Sequence, residues 1–202
     1  MEPFRHLRSV AAPLLEDNVD TDVVFPARFL LLLEKKGLGR YLFHDRRFDS
    51  QGAERADFVL NRAGWRESKI MVVGSNFGCG SSREQAVWAL ADFGIRCIIA
   101  PSFADIFMAN CVSNGVLPVV LDKHVVLDLA RHAELGEELM VDLGAQLICS
   151  GVAARFEMDP ELRTGLMKGL DATTLILRRH LSEIEAFEAR HLTVQPWLFD
   201  AS

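Results

Sequence analysis

Val72-Val73-Gly74-Ser75-Asn76-Phe77-Gly78-Cys79-Gly80-Ser81-Ser82-Arg83-Glu84 is the stretch on which the reading of the whole chain turns. The apolar, β-branched run from Ile70 to Val73 predicts a strand. A glycine-rich loop follows, and Gln85-Ala86-Val87-Trp88-Ala89-Leu90 then opens an amphipathic helix. Gly78 and Gly80 permit positive φ and let a ligand approach the backbone. The first amides of a helix lack internal partners, and the aligned peptide dipoles place about half a positive charge there. Arg83 adds a planar guanidinium able to grip a carboxylate at two points. The loop is suited to an anion, with the hydroxyls of Ser81 and Ser82 beside it. The same residues also fit a capping box, Ser81 with Glu84 or Ser82 with Gln85, so the serines have a purely structural reading as well. No Gly-Lys-Ser/Thr follows the loop and the G-x-G-x-x-G spacing is absent, which argues against a nucleotide phosphate.

Outward from this loop, the spacing predicts a helix from Ser82 to about Phe93 that stops at Gly94. Cys97-Ile98-Ile99-Ala100 reads as a buried strand. A second helix opens at Ser102-Phe103-Ala104-Asp105 and closes at Asn114-Gly115. Val116 to Leu121 reads as a third strand, which Pro118 places at an edge or a bulge. Strands alternating with helices imply right-handed crossovers and a mainly parallel sheet. In such sheets ligands sit beyond the carboxyl ends of the strands, where the Gly78–Arg83 loop lies. Val125 to His132 reads as a helix. Met140–Leu143, Gln146–Cys149 and Val152–Met158 read as antiparallel strands, and Pro160 starts a helix to about Gly169. Ser182 and Glu185 cap a last helix through His191. Upstream, Asp20-Thr21-Asp22 reads as a turn capped by its own side chains. Asp57 to Asn61 reads as a short strand, and His44-Asp45-Arg46-Arg47 as solvated. His180 and His191 read as surface residues, Trp88 and Trp197 as packing residues.

The chain has 202 residues, half of them apolar, enough for one well-filled domain. A net charge of −6 gives no support for nucleic-acid or anionic-membrane binding. No apolar run is long enough to span a bilayer, and the first residues lack a signal-peptide core, so a cytoplasmic protein is expected. Cys79, Cys97, Cys111 and Cys149 form no C-x-x-C pair and have no histidine at zinc-like spacing, so no metal of its own is expected. Cys97 and Cys149 lie in apolar runs that suit core thiols. No histidine lies near Ser81 in sequence to activate it. A carboxylate-binding loop with hydroxyls is readable; a complete catalytic set is not.

Asn76-Phe77-Gly78-Cys79-Gly80-Ser81-Ser82-Arg83-Glu84, followed by Trp88-Ala89-Leu90, resembles the signature of the small subunits of 3-isopropylmalate dehydratase, which match the swivelling domain of the aconitase superfamily. Asp20 to Leu30 and Ala100 to Phe107 carry the resemblance further. It implies an α/β swivelling domain of β/β/α three-layer architecture, with a mainly parallel central sheet and an added C-terminal helical tail. One domain is expected over residues 1–202, with 160–202 a helical extension packed on it. The resemblance implies a hydro-lyase active only with a large subunit, as a heterodimer or heterotetramer, that carries a [4Fe-4S] cluster on its own cysteines. It further implies a dicarboxylate substrate, 2-isopropylmalate, isomerised to 3-isopropylmalate through 2-isopropylmaleate in leucine biosynthesis. Ser81 matches the serine that removes the carbon-bound proton, and Ser82 and Arg83 match carboxylate-holding residues. Thr21 and Asp22 match residues facing the substrate, and Lys35 and Lys36 lie where its variable side chain is sensed. This chain has Lys35-Lys36-Gly37 where many bacterial members have Arg-Thr-Gly, and Gln85 and Val87 where most have His and Pro. Those departures leave open another 2-hydroxy diacid of the citramalate or dimethylmalate type. A non-catalytic dicarboxylate-binding module and a self-contained serine hydrolase are the readings from other classes.

Overall fold

Residues 6–14, which carry no clean alternation and include Pro13, form the longest strand of the molecule, β1 (His6–Leu14). The computed structural model describes residues 1–32 and 34–199; Leu33 and residues 200–202 of the expected 1–202 domain lie outside the described residues. A one-turn helix α1 (Thr21–Val24) follows β1, then a loop-rich segment with a second short helix, α2 (His44–Arg47). Next come β2 (Ile70–Val73), α3 (Glu84–Phe93), β3 (Cys97–Ala100), α4 (Asp105–Ser113), β4 (Leu117–Val120) and α5 (Lys123–Glu134). The chain ends with β5 (Glu138–Asp142), β6 (Leu147–Ser150), β7 (Val152–Arg155), α6 (Pro160–Lys168) and α7 (Ala172–Val194).

The strands order as β4-β3-β2-β1-β5-β6-β7. From β4 to β1 every pairing is parallel; from β1 to β7 every pairing is antiparallel. β1 joins the two halves by dividing its length. Ala11 to Leu14 pair with β2, whereas His6 to Val10 pair with β5. β4 is one of the two edge strands, which is where Pro118 can lack an amide without leaving a gap in the ladder.

β2 and β3 are buried on both faces, which explains their uninterrupted apolar sequences. Met71, Val73, Ile98 and Ala100 face α3, α4 and the 19–43 segment, packing with Val87, Leu90, Phe107, Phe25 and Phe43. Ile70, Val72, Cys97 and Ile99 face α5, with Val126, Leu129 and Ala133. Leu139, Val141 and Ile148 of the antiparallel strands and Leu166 of α6 join that second core, so the antiparallel half folds over it.

Several sequence expectations shift. Residues 57–61 are not a strand; Val59–Asn61 is a 3-10 turn. Arg47 is buried rather than solvated, donating to Asn61 Oδ1 (3.1 Å) and to the carbonyls of Gly39 (3.2 Å) and Leu42 (3.4 Å). The last helix starts at Ala172, not near Ser182, because Asp171 caps it by accepting from Thr174 N (2.7 Å). A break at His180 (φ −118°, ψ 17°) interrupts it just before Ser182. Cys149 is half-buried, while Cys97 is a core thiol as expected. Trp197 is 66% exposed and packs little.

Candidate active site

The glycine loop is built by three neighbouring strands. β1, β2 and β3 run parallel, so the segments that leave their carboxyl ends emerge side by side. Those segments are 17–21, 74–83 and 102–104. On one side of the loop, Asn18 N donates to Ser75 O (2.8 Å), Gly78 N to Val19 O (2.8 Å) and Thr21 N to Cys79 O (2.9 Å). The side chain of Asn76 adds a bond to Asn18 Oδ1 (2.8 Å). On the other side, Asn76 N donates to Ser102 Oγ (2.8 Å), Phe77 N to Ser102 O (3.2 Å) and Ala104 N to Phe77 O (3.1 Å). Ser102 therefore ties loops together instead of capping α4, whose cap position is Ala104. Gly78 (φ +76°) brings the backbone so close to the Phe107 ring that a Cβ has no room.

α3 begins at Glu84, with Arg83 in the cap position and no side-chain cap bond. The capping box that Ser81 or Ser82 fits by spacing does not form, which leaves both serines exposed and their hydroxyls uncommitted. Glu84 instead accepts from Asn114 Nδ2 (2.8 Å), which ties the start of α3 to the end of α4. Among the described residues, the backbone amides of residues 80–83 donate to no protein group. Together with the start of α3 they form a donor-rich rim suited to an anion.

A pocket of about 220 Å³ opens there, lined by Thr21, Gly78, Gly80, Ser81, Ser82, Arg83 and the first turns of α4 from Ala104 to Asn110. Arg83 is mostly buried at its side chain and ion-paired through Nη1 to Asp22 Oδ1, itself half-exposed. Asp22 also accepts from Ala27 N (2.8 Å). The Arg83 bond first, then the Ala27 amide, hold the Asp22 carboxyl below the usual carboxylate range. Among the described residues no histidine lines the pocket, and its wall carries the carboxylate of Asp105.

Thr21, Ser81, Ser82 and Arg83 thus line one pocket, and Asp22 joins them through its pair with Arg83. Lys35 and Lys36 do not line the pocket. Lys35 donates to Asn114 Oδ1 (3.1 Å) and sits 4.6 Å over the Trp88 ring, so its loop is latched onto α3 and α4. Asp105, Ile106 and Asn110 enter the pocket wall, which the sequence reading does not anticipate. Their signal is present in the chain, since residues 100–107 follow the strand next to the loop and must share its end of the sheet.

The cysteines do not fit an iron–sulfur cluster. Cys97 and Cys111 are fully buried, and burial pushes both thiols well up, against thiolate formation. Cys79 and Cys149 belong to separate elements, and among the described residues no three His, Cys, Asp or Glu side chains converge to hold a metal ion. No helix of the described chain is long and apolar enough to cross a membrane.

Residues 1–124 match the family model described as the aconitase C-terminal domain, and residues 179–201 match that of the C-terminal domain of 3-isopropylmalate dehydratase small subunits. The chain is 51% identical to a protein of Rhodospirillum centenum named 3-isopropylmalate dehydratase small subunit, over 98% of each chain. A protein of the same name from Phenylobacterium zucineum is 48% identical over the same shares. Among solved structures, 3-isopropylmalate dehydratase of Methanocaldococcus jannaschii aligns with a TM-score of 0.65 and 26% identity. That alignment covers 90% of this chain and 99% of the other.

Proposed function

Since the chain belongs to the family of 3-isopropylmalate dehydratase small subunits within the aconitase superfamily, we propose that it supplies the proton-transfer and carboxylate-binding half of that enzyme's active site. The reaction is the interconversion of 2-isopropylmalate and 3-isopropylmalate through 2-isopropylmaleate, a step of leucine biosynthesis in the cytoplasm. The partner is a large subunit, joined to this chain as one heterodimer or a pair of them, and the [4Fe-4S] cluster resides on that partner as the Lewis acid. The observation that carries this reading is the form of the pocket. It has two uncommitted hydroxyls, a guanidinium and, among the described residues, backbone amides that bond to no protein group.

Ser81 takes the proton from the substrate carbon. An ordinary serine hydroxyl is far too weakly acidic for that role, so its alkoxide has to be stabilised by its surroundings. The amides of residues 80–83, the start of α3 and the Arg83 guanidinium supply positive potential at the place where the charge develops. Arg83 and Ser82 hold one substrate carboxylate. Asp22 keeps Arg83 oriented, and its Ala27 bond fixes its own carboxyl while it does so. Dehydration removes a hydroxyl and a hydrogen from adjacent carbons; rehydration restores them exchanged. The single domain of residues 1–202, with 160–202 as an extension on it, presents this pocket to the partner.

The test is a Ser81→Ala chain combined with the large subunit. Turnover should fall by at least about 10³-fold, as expected when an essential proton-transfer group is lost, with association of the two chains unchanged. Retained turnover would remove Ser81 from the mechanism. Loss of association would make it an interface residue.

A further inference from the structure

We infer that Thr21 is a positioning residue for Ser81 and not a substrate contact, an inference that rests on the role of Ser81 proposed above. The backbone ladder that binds the glycine loop to residues 18–21 ends at Thr21 N to Cys79 O (2.9 Å). Beyond that point Gly80 turns at φ +91°, and the amides of residues 80–83 bond to no protein group among the described residues. The next restraint on the loop is a side chain: Thr21 Oγ1 donates to the carbonyl of Ser81 at 2.9 Å. It is the only bond to the protein that either Ser81 or Ser82 makes among the described residues. Only past these serines does the Arg83–Asp22 pair take hold.

Two properties of Thr21 decide its role. The residue is 2% exposed at the start of α1, against the loop at Gly80. A threonine hydroxyl has one hydrogen to donate, and here the Ser81 carbonyl takes it. A substrate carboxylate is an acceptor only, so Thr21 cannot hydrogen-bond to it while holding Ser81. Asp20 fixes the donor side in turn, since its carboxylate caps α1 by accepting from Val23 N (2.7 Å) and so sets where Thr21 stands. Rotation of the Ser81 peptide would carry its Oγ out of line with the carbon-bound proton, and reacting groups tolerate little misplacement.

The experiment uses this chain assembled with its large subunit, comparing wild type, Thr21→Val and Thr21→Ser. Valine keeps the shape and removes the donor; serine keeps the donor. The expected result for T21V is a kcat lower by about ten- to a hundredfold, KM within twofold, unchanged association of the two chains, and recovery of most of kcat in T21S. Three results would overturn the inference. One is an unchanged kcat in T21V. Another is a tenfold rise in KM with kcat intact, the mark of a direct substrate contact. The third is a T21S variant as impaired as T21V, the mark of packing alone. A second readout needs no turnover: the rate of tryptic cleavage after Arg83 in the free chain should rise several-fold in T21V and return in T21S. An unchanged rate contradicts the inference. A wild-type complex that hydrates no substituted maleate, together with that cleavage pattern, would instead overturn the proposed function and leave the loop restraint standing.

Discussion

Replacing Gly78 by alanine tests how tightly the site is built into the core. Two separable penalties are expected. Gly78 has φ +76°, where an L-residue costs about 1–2 kcal/mol. The added methyl would overlap the Phe107 ring, with Cδ1 only 2.6 Å away. Phe107 is 2% exposed and cannot swing aside. Phe77 meets it edge-on at 5.5 Å between centroids, and Phe103 stacks on it at 6.3 Å. Overpacking of this kind costs about 1–3 kcal/mol. The sum, about 2–5 kcal/mol, is a large part of a typical total stability of about 5–15 kcal/mol. For a chain of this length it corresponds to a fall in Tm of about 4–20 °C. Gly52→Ala is the control, because Gly52 has φ +80° with nothing within 4 Å of an added methyl. Urea denaturation of both variants should show G78A destabilised by about 1–3 kcal/mol more than G52A. In G78A/F107A the two effects should be less than additive, because the second change removes the obstruction. Equal midpoints for G78A and G52A would refute the claim that Phe107 is pressed against the loop.

Two further predictions concern charge. Arg47→Met removes the donors that satisfy Asn61 and two buried carbonyls, so thermal denaturation should show a loss of about 2–4 kcal/mol; a loss under about 1 kcal/mol would contradict the burial of that guanidinium. Asp22 has a folded pKa below its ordinary value, so the stability it contributes is complete above the usual carboxylate range and is lost as pH falls through the lowered folded value. Asp22→Asn should flatten that acid limb of a stability-versus-pH curve, and a wild-type-shaped limb in the variant would show that the Arg83 pair is not its source.

Much of this arrangement is legible in sequence because it is local. β2 and β3 announce themselves as continuous apolar runs, since both of their faces are buried. α3 ends where Gly94 takes a left-handed turn (φ 112°), and α6 starts at Pro160, as proline's fixed φ favours. What is not legible depends on partners distant in sequence. β1 is held by β2 on one half and β5 on the other, so neither period dominates its residues. The serines fit a capping box by spacing, but the loop's bonds to residues 17–21 and 102–104 hold it out of helix until Glu84. Arg47 looks like one of a run of surface charges, and only the fold brings Asn61 and two carbonyls around it. The family resemblance puts Lys35 where the substrate side chain is sensed; Asn114 and Trp88, more than fifty residues later, decide where its ammonium goes.

The central claim is that this chain is half of a dehydratase site. It is tested most directly by purifying the tagged chain anaerobically from its own host and assaying what accompanies it for hydration of substituted maleates. The account predicts an iron–sulfur-containing partner and fastest hydration of 2-isopropylmaleate, with activity lost when the two chains are separated and regained when they are mixed. A chain that purifies without a partner, binds dicarboxylates alone and hydrates none of the panel would contradict it.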